Sequence, residues 1–288
     1  MKKRRHPLSV PPPKEHSAFR YSKCTGKKKA VCIGINYTGT NHRLYGCIND
    51  AENVHNFLIT KHNFPKGNVL LLTDKPGSRY PPTRKNMLKA MRWLVKDACP
   101  HDSLFFHYSG HGGQTPDLDG DETDGLDEVV FPLDYQTEGH ILDDAIQQDM
   151  HSLMVKPLPA GCRLTALFDS CHSGTVLDLP YIYSAHGRLR GSHVSDRARL
   201  RLATPADVIS WSGCKDDETS ADTFSGGIAV GAMSHAFIET LSMSSSRRCP
   251  LAVFLHRRLL YPKYNQKPQL GSSHRIVSSF GSFSRWRP

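Results

Sequence analysis

SLFFHYSGHGGQTPDLDGDETDGLDE, residues 103–128, runs from an apolar stretch through a glycine-flanked histidine into dense acid. Residues 103–109 are too short for a helix and too uniformly apolar for a strand with one wet face. Such runs suit a strand of a parallel sheet covered on both sides. In open α/β sheets, sites form beyond the carboxyl ends of strands. His111, two residues past the run and flanked by Gly110, Gly112 and Gly113, stands at such a position. Asp117, Asp119, Asp121 and Glu128 fall at positions one, three, five and twelve of a calcium-binding hand. The template fails at its sixth position, where Glu122 replaces the turn glycine, and EVVFPLD reads as strand or loop instead of the second helix. A solvated acidic loop and a cation site of other geometry both remain open.

Outward from this stretch, four further segments have the same character: AVCIGIN (30–36), NVLLLTD (68–74), RLTALFDS (163–170) and ADVISWSG (206–213). Helical candidates alternate with them. NDAENVHNFLITKH (49–62) offers Asn49 and Asp50 as caps. TRKNMLKAMRWLVKDA (83–98) opens on Thr83 and puts Met87, Met91, Leu94 and Val95 on one face. DDAIQQDMHSLMV (143–155) and GGIAVGAMSHAFIETL (226–241) follow as helices. The alternation predicts one α/β domain with a mixed, mostly parallel sheet and helices on both faces. Residues 1–28 read as a disordered basic, Pro-containing extension. Residues 184–207, with no apolar period, read as an exposed Arg-rich loop open to nicking.

Charge and cysteine usage narrow the function classes. The chain carries a formal net charge of +10. Residues 1–29 alone supply +9, so the body is near neutral and lacks the basic face of a nucleic-acid binder. No nucleic-acid partner is expected, and the tail reads as a solubilising arm, with a nuclear address as its alternative use. No run approaches the ~18 apolar residues of a membrane span. The amino terminus has no apolar stretch to make a secretory signal. Eight cysteines without a C-x-x-C pair read as free thiols of a reducing, cytoplasmic compartment.

Two strands deliver reactive side chains: His111 after residues 103–109, and Cys171 just past residues 163–170. If these strands are neighbours, the imidazole can draw the proton from the thiol and generate the attacking thiolate. The backbone N–H groups of Gly112 and Cys171 are candidates for an oxyanion cradle. A zinc site through His107 and His111 requires a helix to put residues four apart on one face, and the segment reads as a strand.

HYSGHGGQ (107–114) with DSCHSG (169–174) resembles the metacaspases, caspase-like cysteine peptidases. KKAVCIGINY, LYGCINDAENV, VLLLTD, DGDETDGLDEVVFPLD, GHILDDAI, SGCKDDETSAD and QKPQLGSSH are similar to its further segments, in its order, over roughly residues 28–280. The chain looks closest to fungal type I members. It departs from them in LGSSHRIVSSF (270–280) and in His235 of AMSHAFI.

The resemblance implies a caspase-like three-layer sandwich, with a large-subunit-like region at 29–185, an inter-subunit loop at 186–205 and a small-subunit-like region at 206–288. It implies a monomeric, calcium-activated endopeptidase acting on protein or peptide substrates after Arg or Lys. His111 would be the base and Cys171 the nucleophile. Asp50, Ser109 and Asp169 would receive the basic side chain, and a carboxylate pair suits a guanidinium or ammonium. Asp127, Asp143, Asp144 and Asp178 would hold calcium, which leaves Asp117–Asp124 as acidic surroundings. The loop's arginines suggest self-cleavage within 188–201. The alternative is a non-catalytic scaffold that keeps the fold and binds misfolded clients.

Overall fold

The computed structural model describes residues 18–117, 125–142, 149–170, 176–183, 189–191, 202–214, 222–225, 228–243 and 267–276. Five strands run parallel: β1 (Lys28–Gly34), β2 (Val69–Thr73), β3 (Ser103–Ser109), β7 (Arg163–Asp169) and β10 (Asp207–Cys214). β13 (Lys267–Ser272), β8 (Tyr181–Tyr183) and β9 (Leu189–Gly191) extend the sheet in antiparallel fashion. The spatial order of the eight is β2-β1-β3-β7-β10-β13-β8-β9. All five apolar runs are therefore strands of one sheet.

Alternate residues of these strands feed two cores, one on each face. Val31, Ile33, Leu104, Phe106, Leu164, Ala166 and Phe168 pack with Met87, Met91 and Leu94 of α2 (Arg84–Val95) and Met150 and Met154 of α4 (Met150–Met154). Ala30, Cys32, Phe105, Leu167, Ile209 and Trp211 pack with Ala51, Val54 and Leu58 of α1 (Cys47–His62) and Met233, Ala236 and Phe237 of α5 (Ala232–Met243). Burial on both faces explains why these strands read as unbroken apolar runs and not as alternating ones. Helices do lie on both faces. Thr83 caps α2 as its position suggests, its hydroxyl accepting the Asn86 N–H at 3.3 Å.

Four segments differ from the sequence reading. α1 begins at Cys47, not at Asn49, with Gly46 at its cap; Asp50 lies inside the first turn, its carboxylate turned to tertiary partners. Residues 226–241 are not one helix: the β-branched IAVG stretch is β12 (Ile228–Gly231), paired with β11 (Asp222–Ser225). Residues 18–27 of the extension are ordered against the domain. Phe19 stacks on His274 at 4.3 Å between centroids, and Asp102 and Asp207 accept the backbone N–H groups of Lys27 and Ser22. The Arg-rich segment contributes β9 as an edge strand, and Leu202, Thr204 and Ala206 are buried beyond it.

The acidic stretch folds as a hairpin, with β4 (Gly112–Pro116) pairing β5 (Leu126–Val130), which in turn pairs β6 (Ile141–Leu142). Asp117 N–H donates to the Gly125 carbonyl at 2.9 Å and closes it. Antiparallel strands, not helices, therefore occupy residues 112–116 and 126–130, and residues 118–124 lie outside the described residues. The divergent carboxyl end does not cost the sheet its last strand, since β13 pairs with β10 on one side and β8 on the other.

Candidate active site

β3 and β7 are neighbours, and Ser109 pairs with Asp169 in register. His111 and Cys171 thus each lie two residues beyond a register pair on adjacent strands. Cys171 itself is outside the described residues, as are Asp143 and Asp144.

His111 is fixed from three sides. Its ring Nε2 lies 2.6 Å from the His42 carbonyl oxygen, which can only accept, so the proton sits on Nε2 and Nδ1 keeps its lone pair. Its backbone N–H donates to the Tyr37 hydroxyl at 3.1 Å. Its carbonyl accepts from the Tyr108 hydroxyl at 2.6 Å. The Tyr37 hydroxyl donates to the Phe131 carbonyl at 2.6 Å, so the two phenols clamp the histidine to the residue that follows β5. Burial pushes both phenols' pKa upward, which keeps them protonated and able to donate. A Cβ on Gly110 would come within 2.7 Å of the Tyr108 oxygen, and this contact demands the glycine. The His42 carbonyl is offered by a loop that Asn36 folds, accepting from Ile48 N–H through Oδ1 and from Leu44 N–H through its carbonyl.

Asp50, Ser109 and Asp169 come together from α1, β3 and β7. The Ser109 hydroxyl donates to Asp50 Oδ2 at 2.8 Å. The start of α5 supplies two amides: Gly231 N–H to Asp50 Oδ1 at 2.8 Å, and Ser234 N–H to Asp169 Oδ2 at 2.7 Å. The carboxylates thereby satisfy otherwise orphaned donors at a helix N-terminus. A Cβ on Gly231 would lie against Asp169 Oδ2 and 2.6 Å from Asp50 Oδ2, so both carboxylates press on that one backbone position. Tyr37, His42, Gly231 and Ser234 are absent from the sequence reading. Gly231 hid inside a segment read as helix, and only tertiary contacts mark the other three.

Gly112 opens β4 opposite Val130. His107 and His111 do not share a site: the His107 ring is fully buried 2.9 Å from Ser234 Oγ, while the His111 ring lies tilted against Tyr37. Of the expected calcium ligands, Asp127 on β5 and Asp178 after Leu177 are both buried, and Asp178 adopts φ 44°. No cluster of three or more metal-ligating side chains forms among the described residues. Asp127 and Asp178 are of the oxygen-donor type that a hard divalent cation takes.

Among the described residues no helix is long and apolar enough to cross a membrane. The chain is 52% identical over 298 residues to Metacaspase-1 of Cryptococcus neoformans, covering 89% of this chain and 64% of that protein. It is 45% identical over 320 residues to Metacaspase-1 of Saccharomyces cerevisiae, covering 93% and 73%. A solved Geobacter sulfurreducens protein shares the fold, with TM-score 0.59 and 23% identity over 89% of this chain and 97% of that one. The family model for the metacaspase peptidase C14 domain matches residues 28–180, more than half of the sequence. By its sequence, the chain belongs to the metacaspase family.

Proposed function

We propose that this protein is a calcium-dependent cysteine endopeptidase that cuts after Arg or Lys. The observation that carries the specificity is the convergence of Asp50 and Asp169 on Gly231, beside the strand end that bears His111. Two carboxylates at one spot favour a cationic side chain over a neutral or acidic one.

His111 Nδ1 takes the Cys171 thiol proton, and the thiolate attacks the scissile carbonyl carbon. The N–H groups of Gly112 and Cys171 receive the oxyanion of the tetrahedral intermediate. The imidazolium, held at Nε2 by the His42 carbonyl, gives its Nδ1 proton to the leaving amine as the C–N bond breaks. Water, deprotonated by the same nitrogen, then cleaves the thioester and frees the acid. Asp127, Asp143, Asp144 and Asp178 would hold calcium, whose charge would order the segment after Cys171. The five arginines of residues 186–201 support self-cleavage there.

The test is cleavage of an Arg-terminated fluorogenic peptide, with millimolar calcium or with chelator, by the native protein and by Cys171→Ala. Cleavage is expected only with calcium and only in the native protein. Activity that persists in Cys171→Ala would overturn the nucleophile. Cleavage by the native protein in chelator would remove calcium from the reading and leave the peptidase.

A further inference from the structure

On the face of β3 that meets α1 and α5, Phe105, His107 and Ser109 follow one another in rows. Ser109 pairs in register with Asp169, and His107 with Leu167. His107 thus lies one row beneath the carboxylate pair, entirely buried and touching no substrate position. Its Nε2 is 2.9 Å from Ser234 Oγ, and Ser234 N–H donates to Asp169 Oδ2 at 2.7 Å. Its Nδ1 is buried with no hydrogen-bond partner among the described residues. A neutral imidazole has one N–H, and leaving that N–H orphaned is the costlier choice. The proton is therefore on Nε2 and is donated to Ser234.

A phenylalanine or leucine would fill this core position without an orphaned nitrogen. The polar ring gives what they cannot, a directional bond that fixes the rotation of the first turn of α5 against β3. That turn carries the Ser234 amide that aims Asp169, and Gly231, the residue just before it, carries the amide that aims Asp50. We propose that His107 and Ser234 are positioning residues for specificity: they set the place of Asp169, and through Gly231 of Asp50, and so determine how tightly a basic side chain is held. The inference rests on reading Asp50 and Asp169 as the basic-side-chain pocket. Because burial pushes the His107 pKa down to about 3, the ring stays neutral at working pH and the bond does not switch.

The experiment is steady-state kinetics of the full chain with calcium and an Arg-terminated peptide. It compares native protein with His107→Phe, His107→Gln and Ser234→Ala. Alkylation of Cys171 by iodoacetamide, followed by mass spectrometry, reads the nucleophile apart from the pocket. His107→Phe and Ser234→Ala are each expected to raise KM roughly tenfold, the range of one hydrogen bond within a charged network. Their kcat should change less than KM, and their alkylation rate should stay near the native one. His107→Gln, with an amide N–H able to reach the same oxygen, should recover most of the loss. If His107→Phe fails to fold, Ser234→Ala decides alone. KM within about twofold of native in the folded variants, whatever their melting temperatures, would overturn the inference and leave the pocket reading intact. A native protein with no preference for Arg or Lys would overturn both.

Discussion

Gly231 has no side chain because two carboxylates occupy the space that one would need. Its φ lies outside the left-handed region, so alanine is allowed by the backbone and the conflict is purely steric. Gly231→Ala would push Asp169 Oδ2 and Asp50 Oδ2 away from the amides that hold them. The expected result is a loss of at least about tenfold in kcat/KM on Arg peptides, with the fold retained, since the displaced groups lie at the rim of the cores. Kinetics alongside a thermal melt would check it, and unchanged kcat/KM would show that the carboxylates can relax without penalty. The sequence displays His111 openly, because a histidine among glycines after an apolar run has few other uses. It conceals Gly231, because a glycine earns its place only from the atoms opposite it, and these come from residues 50 and 169.

At the scale of elements, strands buried on both faces were legible because nothing polar interrupts them. β12 was not, since IAVG runs directly into a good helix former at Ala232 and its partner β11 is four residues long. The ordering of residues 18–27 was hidden too. That segment has no periodicity, and Phe19, Ser22 and Lys27 gain partners only once β3, β10 and His274 are assembled. This assembly has a pH consequence. Desolvation pushes His274 down to about 4, outweighing the opposing pull of Asp207, and pushes His107 down to about 3. Both fall below the ordinary histidine value of 6.5, so between 6.5 and 4 the unfolded chain binds more protons than the folded one. Stability is therefore present above 6.5 and is lost as pH falls. Going from pH 7 to pH 5 should cost up to about 2 kcal/mol per histidine. Denaturant unfolding at pH 7.5, 6 and 5 would measure it. Weakening confined to pH below 4.5, the carboxylate range, would contradict the histidine origin. His274→Gln should flatten the slope.

The order of strands decides what happens to the whole molecule if the Arg-rich segment is cut. A break anywhere in residues 192–201 separates β1–β9 from β10–β13, yet the sheet order places β10 and β13 between β7 and β8. The second piece is thus gripped on both sides by the first, through the β7–β10 register at Arg163–Phe168 and the β13–β8 register at Tyr181–Tyr183. The buried Arg163–Asp207 ion pair, at 2.5 Å, also crosses the cut, and breaking such a pair strands a charge at a cost of about 3–5 kcal/mol. So do the bonds from Gly231 and Ser234 to Asp50 and Asp169, which means that the proposed basic-side-chain pocket exists only while the two pieces remain joined. Separation would break two strand pairings, opening four strand edges, and expose the core between α1 and α5, a far larger penalty than a severed loop. The nicked protein is expected to elute from gel filtration as one species of unchanged size, to show two bands only under denaturing electrophoresis, and to keep its preference for basic peptides. Recovery of two separate native fragments would mean that the interleaved sheet does not hold the molecule together.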